Sequence, residues 1–150
     1  MHGYLYGYDE NAFNKKIIRG RRIFCNNRKK HKPGCGRTFS VLAVNMLKNF
    51  SITADSLWQY LTGLLNITNK TNAFISLKFT LSISSAYRLW KRFSISQSRI
   101  RSYLVRLCPP PECPDTPCAG IQTISHLASA FPDSSCPIAA FQQRFQVSFL

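Results

Sequence analysis

Cys25 and Cys35 flank the run Asn-Asn-Arg-Lys-Lys-His-Lys-Pro-Gly, and this loop comes nearest in the chain to metal chemistry. Cysteine thiolates are zinc ligands, and a structural site sets four of them, or histidines in their place, tetrahedrally around the ion. Gly34 and Gly36 bracket Cys35, so the backbone can turn there and aim its N–H groups at a sulfur. Five bases lie from Arg28 to Arg37, and neighbouring cations favour the thiolate. The ligand count is short, however. No second Cys-x-x-Cys pair stands upstream, His2 and His31 lack the usual spacing, and Cys108, Cys113, Cys118 and Cys136 lie far along the chain. Two readings stay open: half of a zinc site at Cys25 and Cys35, or two free thiols packing a β-turn.

Other chemistries find fewer residues. Metal-dependent phosphodiester transfer needs a clustered set of carboxylates. The six acids Asp9, Glu10, Asp55, Glu112, Asp115 and Asp133 are scattered. His2, His31 and His126 have no triad partners at a recognisable spacing, and no phosphate-cradling glycine loop occurs. The expectation is a protein that is not an enzyme and has no small-molecule substrate. Cys108, Cys113 and Cys118 have the Cys-x4-Cys-x4-Cys look of a small metal site, but the prolines among them suit a linker equally.

Positive charge is the strongest signal. Twenty Lys and Arg against six acids give a formal net charge of +14 and a pI near 10.0. The surplus is uneven: residues 1–50 hold 11 bases, residues 51–107 hold eight, and residues 108–150 hold only Arg144. A polyanion should therefore meet the N-terminal and middle parts, and nucleic acid is the polyanion expected. No uninterrupted apolar run reaches membrane-spanning length. No signal peptide is visible, so the cysteines are expected to be reduced and the protein cytoplasmic, associated with the nucleoid.

The elements that must position these residues fall into three zones. Residues 1–40 form a basic β segment. Ile17, Ile18, Ile23 and Phe24 around Arg19, Arg21 and Arg22 suggest two short strands turning at Gly20, and Thr38, Phe39 and Val41 continue a strand after the cysteine loop. Residues 41–107 read as helical. Val41, Val44 and Leu47 suggest a short helix or turn. Thr53 suits an N-cap, with Asp55 in the first turn, and Leu57, Tyr60, Leu61, Leu64 and Leu65 form an amphipathic stripe. After a polar break from Asn66 to Asn72, an intervening helix is expected around Asn72–Phe79. Ser82 or Ser84 can cap the next helix, whose stripe is Ala86, Leu89, Trp90 and Phe93 and then Ile100, Leu104 and Leu107. This is one long helix or two with a bend near Ser94–Ser96, ended by Pro109–Pro111. Residues 108–150 are a Pro/Cys linker and two closing helical pieces, one from Ile121 to Phe131 and one from Pro137 to Phe145. The fold class is α+β, a small N-terminal β segment followed by a mainly α-helical bundle. Trp58, Trp90 and the phenylalanines belong to the core on this reading.

The run Arg-Gly-Arg-Arg-Ile-Phe-Cys-Asn-Asn-Arg at 19–28, with Cys-Gly-Arg-Thr-Phe-Ser-Val at 35–41, resembles the zinc-ribbon part of transposase-like proteins of bacterial insertion sequences. Ser-Ala-Tyr-Arg-Leu-Trp-Lys-Arg-Phe at 85–93 resembles the helix-turn-helix that follows it in that family. The resemblance covers about residues 2–107. It implies a half zinc-ribbon-like β segment and a helix-turn-helix-like bundle. It also implies zinc ligands at Cys25 and Cys35 and a DNA-binding protein derived from or associated with a mobile element. The first Cys-x-x-Cys knuckle and the catalytic domain of the family are not present in this sequence.

A helix-turn-helix places its second helix in the major groove. The residues expected to contact DNA are Ser85, Arg88, Lys91 and Arg92 on that helix, and Arg19, Arg21, Arg22, Arg28, Lys29, Lys30 and Arg37 in the basic segment. Arginine pairs bidentately with guanine or bridges phosphates. Two other readings are carried with this one. One is an RNA-binding or ribosome-associated basic protein. The other is a protein-interaction module that uses the C-terminal helices.

Overall fold

The computed structural model describes residues 3–12, 14–25, 34–66, 69–112 and 118–150. Arg28, Lys29, Lys30, His31 and Cys113 fall outside them. The chain is α+β: a three-stranded antiparallel sheet comes first, and helices follow.

Strand β1 (Tyr4–Tyr8), β2 (Lys16–Phe24) and β3 (Thr38–Leu42) lie in the order β1-β2-β3. The two strands expected to turn at Gly20 are a single strand. Gly20 stands opposite Leu5 on one side and Leu42 on the other, so the ladder runs straight through it. The partner that the sequence reading did not assign is the N-terminal strand, whose Tyr4, Tyr6 and Tyr8 alternate with Leu5 and Gly7.

One irregularity governs the sheet. Leu5 pairs with Gly20 but Tyr6 pairs with Ile18, which leaves Arg19 unopposed as a β-bulge. An extra residue resets the two-residue alternation and re-aims a side chain. Here Arg19 and Gly20 are buried in succession, while Lys16, Ile18, Arg21 and Ile23 are all exposed. Gly7 makes room for this: a Cβ there would stand 2.2 Å from Cδ of Arg19. The Arg19 guanidinium then donates to the carbonyl of Ile52 at 3.2 Å.

Beyond β3 the chain makes turns rather than a helix through Val44 and Leu47. Helix α1 (Ala54–Asn66) begins after Thr53, whose hydroxyl accepts the Ser56 N–H at 3.3 Å. The stripe Leu57, Tyr60, Leu61 and Leu64 is buried, but Leu65 is exposed. Helix α2 (Lys70–Ile75) is capped by Asn69, whose side chain accepts from the N–H groups of Thr71 and Asn72. It is shorter than the intervening helix expected over Asn72–Phe79.

Helix α3 (Ser84–Leu104) is one continuous helix with no break at Ser94–Ser96. Ile83 takes its N-cap position, and neither Ser82 nor Ser84 supplies a capping side chain; their hydroxyls bond each other at 2.8 Å. Ala86, Leu89, Phe93, Gln97, Ile100 and Leu104 form its buried seam, and Leu107 lies outside it.

Helices α4 (Ala119–Ala130) and α5 (Pro137–Phe145) close the chain. Proline at the start of α5 loses nothing, because the first N–H groups of a helix are unpaired anyway. The core is a single cluster drawn from all five helices, with Phe93, Phe141 and Phe149 at its centre. Phe93 stacks on Phe149, and Phe141 meets Phe149 edge-on. Trp58 and Trp90 are partly buried against it. Phe39, by contrast, is exposed on the sheet.

Candidate nucleic-acid interface

The exposed side of α3 carries Arg88, Lys91, Arg92, Ile95 and Arg99. A helix repeats every 3.6 residues, so these positions share one face while the buried seam takes the other. They form one wall of a cleft of about 830 Å³. The opposite side is the turn Lys48–Ile52, and Ser148 and Leu150 complete it. Ser85, half-buried, lines the cleft beside Arg88. Lys48, Arg88, Lys91, Arg92 and Arg99 make its lining cationic, and no Asp or Glu is part of it.

Three sets of bonds hold these walls together. Arg99 donates to the carbonyls of Ser148 and Phe149, both at 3.0 Å, and so fixes the C-terminal segment against α3. Gln142 donates to the Val44 carbonyl at 2.7 Å and accepts the Phe149 N–H at 3.1 Å, clasping that segment to the loop after β3. Glu10 anchors the far end of the turn. Its carboxylate accepts the Thr53 N–H at 2.7 Å, the Thr53 hydroxyl at 2.9 Å, and the Ser56 hydroxyl. Arg88, Lys91 and Arg92 make no ion pair among the described residues, where Asp9 and Lys15 form the one pair seen, at 3.9 Å.

The other expected contact residues divide. Arg19 is only 8% exposed. Burial pulls its pKa down from the usual arginine value, with Glu10 acting in the opposite sense. Its guanidinium is taken up by the fold. Arg21 and Arg22 are exposed on opposite faces of β2: Arg21 stands opposite Tyr4 and Val41, and Arg22 opposite Ser40. Arg37 is exposed just before β3. Arg28, Lys29 and Lys30 lie outside the described residues.

Cys25 and Cys35 do come together. The Cys35 N–H donates to Sγ of Cys25 at 3.3 Å, the Cys25 N–H donates to the Arg37 carbonyl, and Gly36 N–H returns to the Cys25 carbonyl. Gly36 sits at φ +67°, a conformation that glycine adopts without steric cost. The backbone turns at the glycine and aims an N–H group at a sulfur, as the sequence led one to expect. Both thiols are free, and no group of three or more His, Cys, Asp or Glu gathers among the described residues. Among the described residues, two thiols of a four-ligand tetrahedral site stand together. Cys108 offers its carbonyl, not its sulfur, to the buried His126 ring at 3.0 Å.

The sequence reading did not single out Lys48 or the C-terminal segment for the cleft, because their proximity to α3 depends on long-range packing. It also left Tyr4, Tyr6 and Tyr8 unassigned, although their two-residue spacing is the ordinary sign of a strand with one face alike. A scan against protein-family models, a search of curated proteins and a search of solved structures each return no match to this chain.

Proposed function

We propose that this chain is a non-catalytic DNA-binding protein that docks duplex DNA on the exposed face of α3. The observation that carries this reading is the cationic cleft, in which Arg88, Lys91 and Arg92 stand exposed on successive turns with no Asp or Glu side chain in the lining. A duplex is a dense line of phosphates, and each phosphate neutralised releases condensed counterions. The net charge of +14 adds long-range attraction. The origin proposed is a mobile element, from the resemblance of residues 19–41 and 85–93 to transposase-like proteins. The link between α2 and α3 runs from Ser76 to Ile83, longer than the roughly three- or four-residue turn of a helix-turn-helix. The proposal therefore rests on α3 and its cleft rather than on a standard two-helix motif.

Duplex binding measured by mobility shift across a salt series tests it. Wild type should bind at low salt with a steep negative slope of log K against log salt. Arg88→Ala, Lys91→Ala and Arg92→Ala together should flatten that slope by about 2–3. Absence of duplex binding at low salt, or a slope indifferent to these substitutions, rejects it. An RNA-binding reading is supported instead if structured RNA competes the duplex away at equal concentration.

A further inference from the structure

The sheet turns a second surface outward. Register puts Tyr4, Tyr6 and Tyr8 of β1 on one face with Lys16, Ile18, Arg21 and Ile23 of β2 and Phe39 and Val41 of β3. Packing covers none of the rings: Tyr6 is 63% exposed, Tyr8 50%, Phe39 49% and Tyr4 48%. A soluble protein seldom leaves so many large apolar side chains together on one face without a use for it. Cations are interleaved with the rings. The Arg21 guanidinium lies 5.2 Å from the centre of the Tyr4 ring, and Lys16 stands opposite Tyr8. No described acid belongs to this face: Asp9 is bonded to Lys15 and the Asn11 N–H beyond the end of β1, and Glu10 is buried.

We propose that this face binds an unpaired DNA strand, with bases stacked on Tyr4, Tyr6 and Phe39 and phosphates held by Arg21 and Lys16. Aromatic rings beside cations suit a strand whose bases are free, because every base has a π-face and every linkage has a charge. Duplex DNA does not fit this chemistry, since its base faces are already stacked inside. The Tyr4 and Tyr6 ring centres are 6.3 Å apart and their planes are inclined by 60°. Bases lying on both rings cannot stay parallel to each other and must leave their own stack, which favours weakly stacking thymines over adenines. A second copy of this chain is a poorer occupant. Face-to-face pairing would bring the Arg21 and Lys16 side chains of two strongly positive molecules together, and like charges so placed oppose association.

Fluorescence anisotropy with a labelled oligo-dT of about 12 nucleotides tests this on the full chain. Tyr6→Ala should weaken binding at least about fivefold, and Tyr6→Phe should keep it, because stacking needs the ring and not the hydroxyl. Tyr4→Ala with Tyr6→Ala should weaken it further while the circular dichroism and duplex binding stay unchanged. Full-strength oligo-dT binding by that double variant overturns the proposal. So does tighter binding of the same sequence as RNA, or a dimer in sedimentation that the double variant dissociates. The α3 triple variant separates the two surfaces: if it abolishes oligo-dT binding while the tyrosine variants do not, the sheet face is not the site. Tyrosine-dependent oligo-dT binding without any duplex binding would leave this inference standing and the reading of α3 fallen.

Discussion

At the scale of single residues, the basic segment contributes to structure as much as to charge. Arg19 reads in sequence like its neighbours Arg21 and Arg22, yet the bulge turns it inward onto the Ile52 carbonyl. Glu10 does the complementary task, taking three donors from Thr53 and Ser56 at the start of α1. Hydrogen bonds to a charged acceptor are worth more than neutral ones. Glu10→Ala should therefore cost about 3 kcal/mol, read as a shift of the denaturant midpoint at unchanged slope. An exposed control, Arg22→Ala, should cost less than about 0.5 kcal/mol. Tyr60 gives a test by pH. It is fully buried, its hydroxyl donates to the Ala86 carbonyl at 3.2 Å, and burial, aided by Tyr87, pushes its pKa up to about 12. The unfolded chain ionises near pH 10 and the folded one only near 12, so between these values the folded state holds the extra proton. Stability from this group is present in full below pH 10 and is lost as pH rises through 12. Tyr60→Phe should cost about 1 kcal/mol at neutral pH and should remove this part of the alkaline fall in melting temperature.

At the scale of elements, α3 and the sheet carry different surfaces on similar residue types. In α3, a 3.6-residue period separates a buried seam from a cationic face, and both halves of that division were legible in the sequence. In the sheet, a two-residue period should separate the faces as well, but the bulge at Arg19 breaks the count midway through β2. Without β1 as partner, the break is invisible, and Gly20 looks like a turn. The cysteine turn is an element of a third kind. Its backbone already presents the Cys35 N–H to the Cys25 sulfur, as a ligand turn would, but two thiols leave half a coordination sphere open. Zinc measured on the purified chain by atomic absorption should stay well below one equivalent. Cys25→Ser with Cys35→Ser should change the melting temperature by less than the loss of a structural metal would.

At the scale of the whole molecule, charge and core are unequally shared. The helices and the C-terminal segment supply the cluster around Phe93, Phe141 and Phe149, while the sheet is joined to them chiefly through Arg19, Glu10 and the loop after β3. A net charge of +14 repels itself in the compact state. Raising ionic strength from about 0.01 M to about 0.15 M shortens the Debye length from about 30 Å to about 8 Å. The melting temperature should rise by about 2–4 °C over that range, the equivalent of about 1 kcal/mol. The same salt should weaken duplex binding, so stability and affinity are expected to move in opposite directions in one titration.

Composition and local periodicity determined the α+β class, most of each helix seam, the limits of α5 and the surplus of positive charge, because each depends on neighbours within a few turns of chain. Thr53 as the start of α1 belongs with them, since capping is local. Tertiary structure alone decided the fate of the cations outside α3. Arg19 is withdrawn by a bulge that exists only when β1 pairs with β2. Lys48 joins the α3 cations only because Gln142 and Arg99 tie distant segments to the same cleft. The tyrosine face is likewise a product of register: three consecutive strands bring their rings and cations together, and no helix among the described residues covers them.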